Sequence, residues 1–271
     1  MRKNYRFQIP GSKTTRFFIS ALFVLMGAFL PLDDDAAAEL TAKANHDRIS
    51  IDFFYHGSTI GISGISDPGT DLIVTVTAPD GRQALKKKGK VGGVLWMNVG
   101  DVKFERVPNV YFLHCTKEIG TILSGGEMEK YALGYPALKK HIGISPVSND
   151  GEKGAWFKEF VRFKESCKLY ATSYGKISTE LKDGKQNYHI LTQWPHQAPP
   201  GKYLVTVYAV KDNKVVEKAE ANVLVEQAGV VKMLYDMARN NAVLYGIISI
   251  IAALGAGFGV GLIFGKGGGA H

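Results

Sequence analysis

The stretch Ala242 to Phe264, AVLYGIISIIAALGAGFGVGLIF, contains 23 residues, none charged and five of them glycine. At about 1.5 Å of rise per helical residue it reaches roughly 35 Å, enough to cross a hydrocarbon core of about 30 Å. It reads as a transmembrane helix. A short tail, residues 265–271, follows it, so the functional mass is expected on the amino-terminal side.

Directly upstream the pattern is also helical. Lys232, Asp236 and Arg239 share one face of a helix starting at Ala228, and Val230, Leu234 and Met237 share the other. Nothing charged or cyclic interrupts it before Ala242, so residues 228–264 are expected to form one continuous juxtamembrane and transmembrane helix. Within the span, Gly255 with Gly259 and Gly257 with Gly261 are small-x-x-x-small pairs. Two residues along a helix turn about 200°, so the pairs lie on nearly opposite faces. Two smooth faces suit a helix wedged between neighbours beside a multi-span protein, whereas a simple homodimer needs one. The plainer reading is that glycine is common in spans.

At the other end, Arg2, Lys3, Arg6, Lys13 and Arg16 precede the apolar run Phe17 to Leu30, broken by Pro31 and followed by Ala36-Ala37-Ala38. Residues 1–38 read as a signal peptide, an uncleaved anchor being the alternative. The charges beside the second span (Lys232 and Arg239 before, Lys266 after) do not set orientation, so the basic n-region must. The expected topology is a single-pass bacterial inner-membrane protein with a periplasmic body and a short cytoplasmic tail at 265–271. The chain is formally +8; without residues 1–38 it keeps 28 basic and 22 acidic groups, or +6. Such dispersed charge on an exported body suits an anionic membrane surface or an acidic partner and speaks against nucleic acid.

The body, residues 39–227, reads mainly as β. Ile49, Ile51 and Phe53 alternate with polar neighbours, Thr59 to Ile65 follows a His56-Gly57-Ser58 turn, and Asp71 to Thr77 is rich in β-branched residues. Pro79-Asp80-Gly81 reads as a hairpin turn, with strands at Val91 to Val99, Val102 to Val107 and Val110 to Cys115. Residues 124–172 form a helical insert, in which Trp156, Phe157, Phe160, Val161 and Phe163 make the packed face and Lys164 belongs to the polar one. Strands resume over residues 173–227, turning at Asp183-Gly184 and Asp212-Asn213, and Gly201-x-Tyr203-x-Val205 has the spacing of a tyrosine corner. The expectation is two immunoglobulin-like antiparallel β-sandwich regions, 39–123 and 173–227, either separate or sharing one sandwich.

Catalytic signatures are missing from the sequence. It has no C-x-x-C, H-E-x-x-H or G-x-S-x-G, and no Gly-Lys followed by Ser or Thr. His46, His56, His114, His141, His189, His196 and His271 are scattered, so no metal or other cofactor is expected. Cys115 and Cys167 are the two cysteines, able to form a disulfide in an oxidising compartment or to stand as separate thiols. Lys86-Lys87-Lys88-Gly89-Lys90, with Trp96 nearby, is the candidate contact for an acidic partner, lipid headgroups or an oxyanion. The alternative is a solvated hairpin edge whose lysines discourage strand-to-strand aggregation.

Ala84 to Asn98, with its basic-glycine-tryptophan-asparagine order, resembles a motif of a bacterial transmembrane family first described from alphaproteobacteria. Val107-Pro108-Asn109-Val110-Tyr111, Pro199-Pro200-Gly201-Lys202-Tyr203 and Leu244-Tyr245-Gly246 resemble further motifs of it, in the same order. The resemblance implies a signal peptide, a periplasmic body and one carboxyl-terminal span, and it carries no catalytic residues. His114-Cys115 departs from the small or apolar residues of that pattern, so no family role passes to Cys115. Genes of the family often neighbour sulfite-exporter-type permeases. The resulting expectation is a non-enzymatic, membrane-anchored protein that binds or scaffolds a multi-span integral-membrane partner, as an accessory to an anion permease. A thiol- or metal-dependent enzyme and a structural envelope component are the alternatives.

Overall fold

The computed structural model describes residues 39–265, with side chains to 262. The signal-peptide reading of 1–38 and the tail beyond 265 lie outside the described residues. In chain order the strands are β1 (Lys43–Ala44), β2 (Arg48–Ile51), β3 (Ser58–Ser66), β4 (Asp71–Thr77), β5 (Asp80–Val91), β6 (Leu95–Pro108) and β7 (Tyr111–Cys115). Short helices α1 (Ile119–Ile122), α2 (Gly125–Lys130) and α3 (Tyr135–His141) follow, then β8 (Gly143–Ser145) and the long α4 (Asp150–Ser166). The chain returns to strands with β9 (Tyr170–Tyr174), β10 (Ser178–Lys182), β11 (Lys185–Trp194), β12 (Gly201–Lys211) and β13 (Lys214–Gln227). It closes with α5 (Gly229–Asn240) and α6 (Ala242–Gly265).

The protein is mainly β, in three sheets. One runs β1-β3-β11-β10, the second β2-β13-β12-β4-β7-β9 and the third β5-β6-β8. Pairings are antiparallel except β13 with β2 and β7 with β9. The two β regions of the sequence share these sheets, because β11 pairs with β3 and β12 pairs with β4. The alternative left open in the sequence is therefore resolved as shared sheets.

The second sheet is covered on both sides, which explains its composition. Along β4, Leu72, Val74 and Val76 join Val205, Val207, Val223 and Val225 against Ile60, Ile62 and Ile190 of the first sheet. Ile73 points the other way, with Leu113, Tyr208 and Val210, into a second core made with α1, α3, α4 and the base of β6. Strands buried on both faces need apolar residues at successive positions, hence Leu-Ile-Val-Thr-Val over Leu72–Val76. Edge-to-face packing of Trp194 on Tyr203, with ring centroids 4.6 Å apart, fills the first core. The Tyr203 hydroxyl donates to the Pro199 carbonyl at 2.6 Å, tying the start of β12 to the chain just upstream, as the corner spacing leads one to expect.

Two tight turns form as the sequence indicates. Asp183 and Gly184 have φ of 53° and 73°, and Asp212 and Asn213 have 51° and 62°. Asp, Asn and Gly tolerate the left-handed region that two-residue hairpins require.

Three local expectations are corrected. Pro79-Asp80-Gly81 is not a hairpin turn: β5 leaves the second sheet and pairs with β6, while β4 lies between β12 and β7. The reversal occurs instead at Gly92-Gly93, φ 63° and 79°, inside the stretch read as a strand from Val91 to Val99. In α4 the faces differ by one pair: Phe163 is exposed and Lys164 is buried. The Lys164 ammonium donates to the Asn109 carbonyl at 3.0 Å and sits 5.4 Å from the Tyr170 ring centre, so a cation meets a carbonyl and a ring face in place of water. Third, the helix does not run unbroken into the span. Asn241 adopts φ −137° and ψ 56° between α5 and α6. Asparagine favours such boundary positions because its side chain competes for backbone hydrogen bonds.

Candidate functional site

The lysine run lies on β5 in a hairpin that projects from the body. Near its base, β8 adds a third strand, but only opposite Lys103, Phe104 and Glu105. There Phe104 stacks on Phe160 of α4 with centroids 4.5 Å apart. Beyond that point, from Lys86 to Val99, the ribbon has two strands and its side chains are almost all exposed.

Register divides this arm into two unlike faces. Lys86 pairs with Asp101, Lys88 with Asn98 and Lys90 with Trp96, so these side chains share one face. Lys87, Gly89 and Val91 occupy the other, with Met97 and Leu95 opposite the last two. Register shifts beside Lys87 and Lys88, and Val99 covers Gly89: a Cβ built there would lie 2.8 Å from a Val99 methyl. One face is thus cationic and carries an indole. The second is apolar from Val99 to the apex. Val94 at the turn is 81 % exposed, and Leu95 and Trp96 are each 65 % exposed.

The lysine charges are partly engaged. Lys86 contacts Asp101 at 2.9 Å, Lys87 reaches Glu152 at 3.6 Å, and the Lys90 ammonium sits 5.5 Å from the Trp96 ring centre. Glu152 belongs to the first turn of α4, where the Ser148 backbone N–H donates to its carboxylate and holds its pKa below the ordinary value. The arm has no concavity around its lysines to enclose an oxyanion, since their side chains stand out on a convex ribbon.

A second feature escaped the sequence reading. A cleft of about 950 Å³ opens between β11 and β9, beside the end of α4. Its floor includes Phe112, His114, Tyr170 and Trp194, and its rim carries Lys168, Lys176, His56, His189 and His196 against one carboxylate, Glu165. Glu165 accepts a hydrogen bond from the Tyr135 hydroxyl at 2.8 Å. These residues come from segments more than a hundred positions apart. The one sequence signal was the single polar residue, His114, inside the apolar strand β7.

His114 is buried, with Nδ1 2.6 Å from Ser173 Oγ and Nε2 3.2 Å from Thr192 Oγ1. Burial, and secondarily Lys176, pushes its pKa down to about 4. A serine beside a histidine invites comparison with a nucleophile and its base. Here, however, the imidazole is a weak base, and its second nitrogen meets a threonine instead of an orienting carboxylate.

The cysteines are both unpaired thiols. Cys115 is buried on β7, and Cys167 caps α4. Desolvation pushes the Cys115 pKa up to about 12, which keeps it a thiol and removes its nucleophilic form. Among the described residues, no group of three His, Cys, Asp or Glu side chains could hold a metal ion.

Along α6, Ala242–Leu262 is long and apolar enough to cross a membrane, and none of it is buried against the rest of the protein. Nothing lies within 4 Å of a Cβ built at Gly255, Gly257, Gly259 or Gly261. The structure therefore does not bring the lysine arm, the cleft and the span glycines together into one site.

Over residues 39–266 the sequence matches the family described as "Putative transmembrane protein (Alph_Pro_TM)". No curated protein and no solved structure matches. The match takes in every described strand and helix.

Proposed function

Because the chain belongs to that transmembrane family, and carries one span in its described part, we propose that it is a single-pass accessory protein for an integral-membrane partner. In this reading it is not an enzyme. The body lies on the periplasmic side of the bacterial inner membrane and scaffolds or binds a multi-span protein, with an anion permease of the sulfite-exporter type as the specific candidate.

The observation that carries the reading is the bare, glycine-lined α6. Each of its four clustered glycines presents backbone without a covering side chain, on both sides of the helix. Close backbone approach is how helices associate in lipid, where apolar burial gives little drive. The body supplies no helix to fill those surfaces, so a neighbouring span is the natural occupant. The chemistry at His114 and Cys115 supports the non-enzymatic side of the proposal, since neither group is poised to react.

Gentle solubilisation followed by mass spectrometry tests it. A stoichiometric multi-span partner is expected with the natural chain, and Gly257→Leu and Gly259→Leu should each reduce its recovery several-fold. A protein that purifies alone, or a partner retained by both variants, rejects the docking role of α6.

A further inference from the structure

We propose that the β5–β6 arm is a lipid-binding device that enters the anionic headgroup layer of a bilayer apex-first. The inference rests on the membrane-anchored reading above and adds a second, reversible membrane contact to the permanent one. Four observations converge on it.

The arm is unlike the rest of the protein's surface. Val91, Val94, Leu95, Trp96, Met97 and Val99 lie within nine residues and are each about half exposed or more. Contiguous apolar exposure of this kind marks an interaction surface. Second, the part bearing it is a two-stranded ribbon, which is marginal in water without a further strand or an apolar cover. The apolar face is therefore built to be covered.

Third, charge and depth are ordered along the arm. The apex is apolar. Lys90 and Trp96 come next, side by side, followed by Lys88, Lys87 and Lys86 toward the body. Between Lys86 and Val99 there are four ammonium groups and no carboxylate. With the apex at acyl-chain level, Trp96 falls where indoles concentrate at the bilayer surface, and the lysines fall among phosphates. Long lysine stems can follow the apolar surface while their heads stay hydrated.

Fourth, the depth is self-limiting. The ribbon has two unpaired edges, whose N–H and C=O groups cannot enter hydrocarbon without loss of hydrogen bonds. At about 3.3 Å per residue, the segment from Val91 to the apex reaches only about 10 Å, matching an interfacial element and not a span. A protein partner could cover an apolar face as well. It would not require lysines graded behind an apolar apex, and the lipid reading accounts for that order.

The test uses the full chain reconstituted in vesicles of phosphatidylcholine, alone or mixed with phosphatidylglycerol, with bromine on the acyl chains as a contact quencher. The chain has three tryptophans, and Trp156 and Trp194 serve as background; subtracting the Trp96→Phe signal isolates Trp96. Trp96 should be blue-shifted and bromine-quenched in the anionic vesicles, with the effect reduced by high salt. The double variant Lys88→Glu, Lys90→Glu should lower quenching in anionic vesicles by on the order of tenfold in apparent partitioning. If Trp96 stays open to an aqueous quencher in both vesicle types while the protein still floats with them, the arm proposal is overturned and the anchor stands. Shielding that appears only when native membrane extract is added also overturns it, in favour of a protein contact. Failure of the natural chain to float would reject the anchored reading itself, and the arm proposal with it.

Discussion

The paired strands β4 and β12 and the arm of β5 and β6 are both built from long runs of extended chain, yet they solve opposite problems. The pair β4 and β12 is flanked by β7 and β13, with helices over one face and a second sheet over the other. Every hydrogen-bonding edge there is used, and successive residues are apolar. The arm has two free edges and exposes Val94, Leu95 and Trp96. Stability resides in the first region, and the second is left available for contact. The pairing teaches that apolar content alone does not locate a core; the number of covered faces does.

The largest expected effect sharpens this contrast. Phe160 is fully buried between Phe104 and Tyr170, so Phe160→Ala should cost about 3–5 kcal/mol in urea unfolding of the full chain in micelles. A loss under about 1 kcal/mol would show that the helical cover of the second sheet is loose.

Next comes pH. The folded-state pKa of His114 is depressed to about 4 from 6.5, so the unfolded chain takes up a proton first as the pH falls. The associated stability is complete above about pH 6.5 and is lost progressively toward pH 4, amounting to on the order of 3 kcal/mol. His114→Gln should flatten that part of the profile. An unchanged slope would mean that another group carries it.

A smaller effect concerns close approach at the sheet edge. A Cβ at Gly64 would lie 1.9 Å from the Thr41 carbonyl oxygen and 2.6 Å from the Tyr188 hydroxyl. Gly64→Ala should cost roughly 1–3 kcal/mol, because backbone and not a movable side chain must give way. Thermal unfolding measures it, and a neutral outcome would show that the segment before β1 detaches readily.

The smallest effect completes the comparison. Val94→Ser and Leu95→Ser should change stability by no more than about 0.5 kcal/mol, as expected of exposed positions. Should either cost as much as Phe160→Ala, the arm would be part of the core and the division drawn here would fail.

Much of the sheet framework was legible because its signals are local. Asp71–Thr77 is β-branched along its length and emerges as β4 with those bounds, and the turns at Asp183-Gly184 and Asp212-Asn213 have the residues their dihedrals demand. The arm was harder to see. Its lysines suggested a solvated edge, and Gly92-Gly93, a good two-residue turn signal, was hidden between apolar neighbours on both sides. The unlike faces appear only once register is known. Lys164 was placed with the polar face by period, whereas the Asn109 carbonyl and the ring of Tyr170 make its burial tolerable. The cleft was not readable at all, since Thr192, Ser173 and His114 meet through strand pairing and not through any spacing along the chain.

Asn241 has one further consequence. Because the backbone leaves helical geometry there, tilting or rotating the span does not drag the head with it as a rigid rod would. The joint uncouples heading from attachment. An anchored head can therefore turn its apex toward the lipid beneath it, or lift it away, while the tether in the bilayer stays where its neighbours hold it.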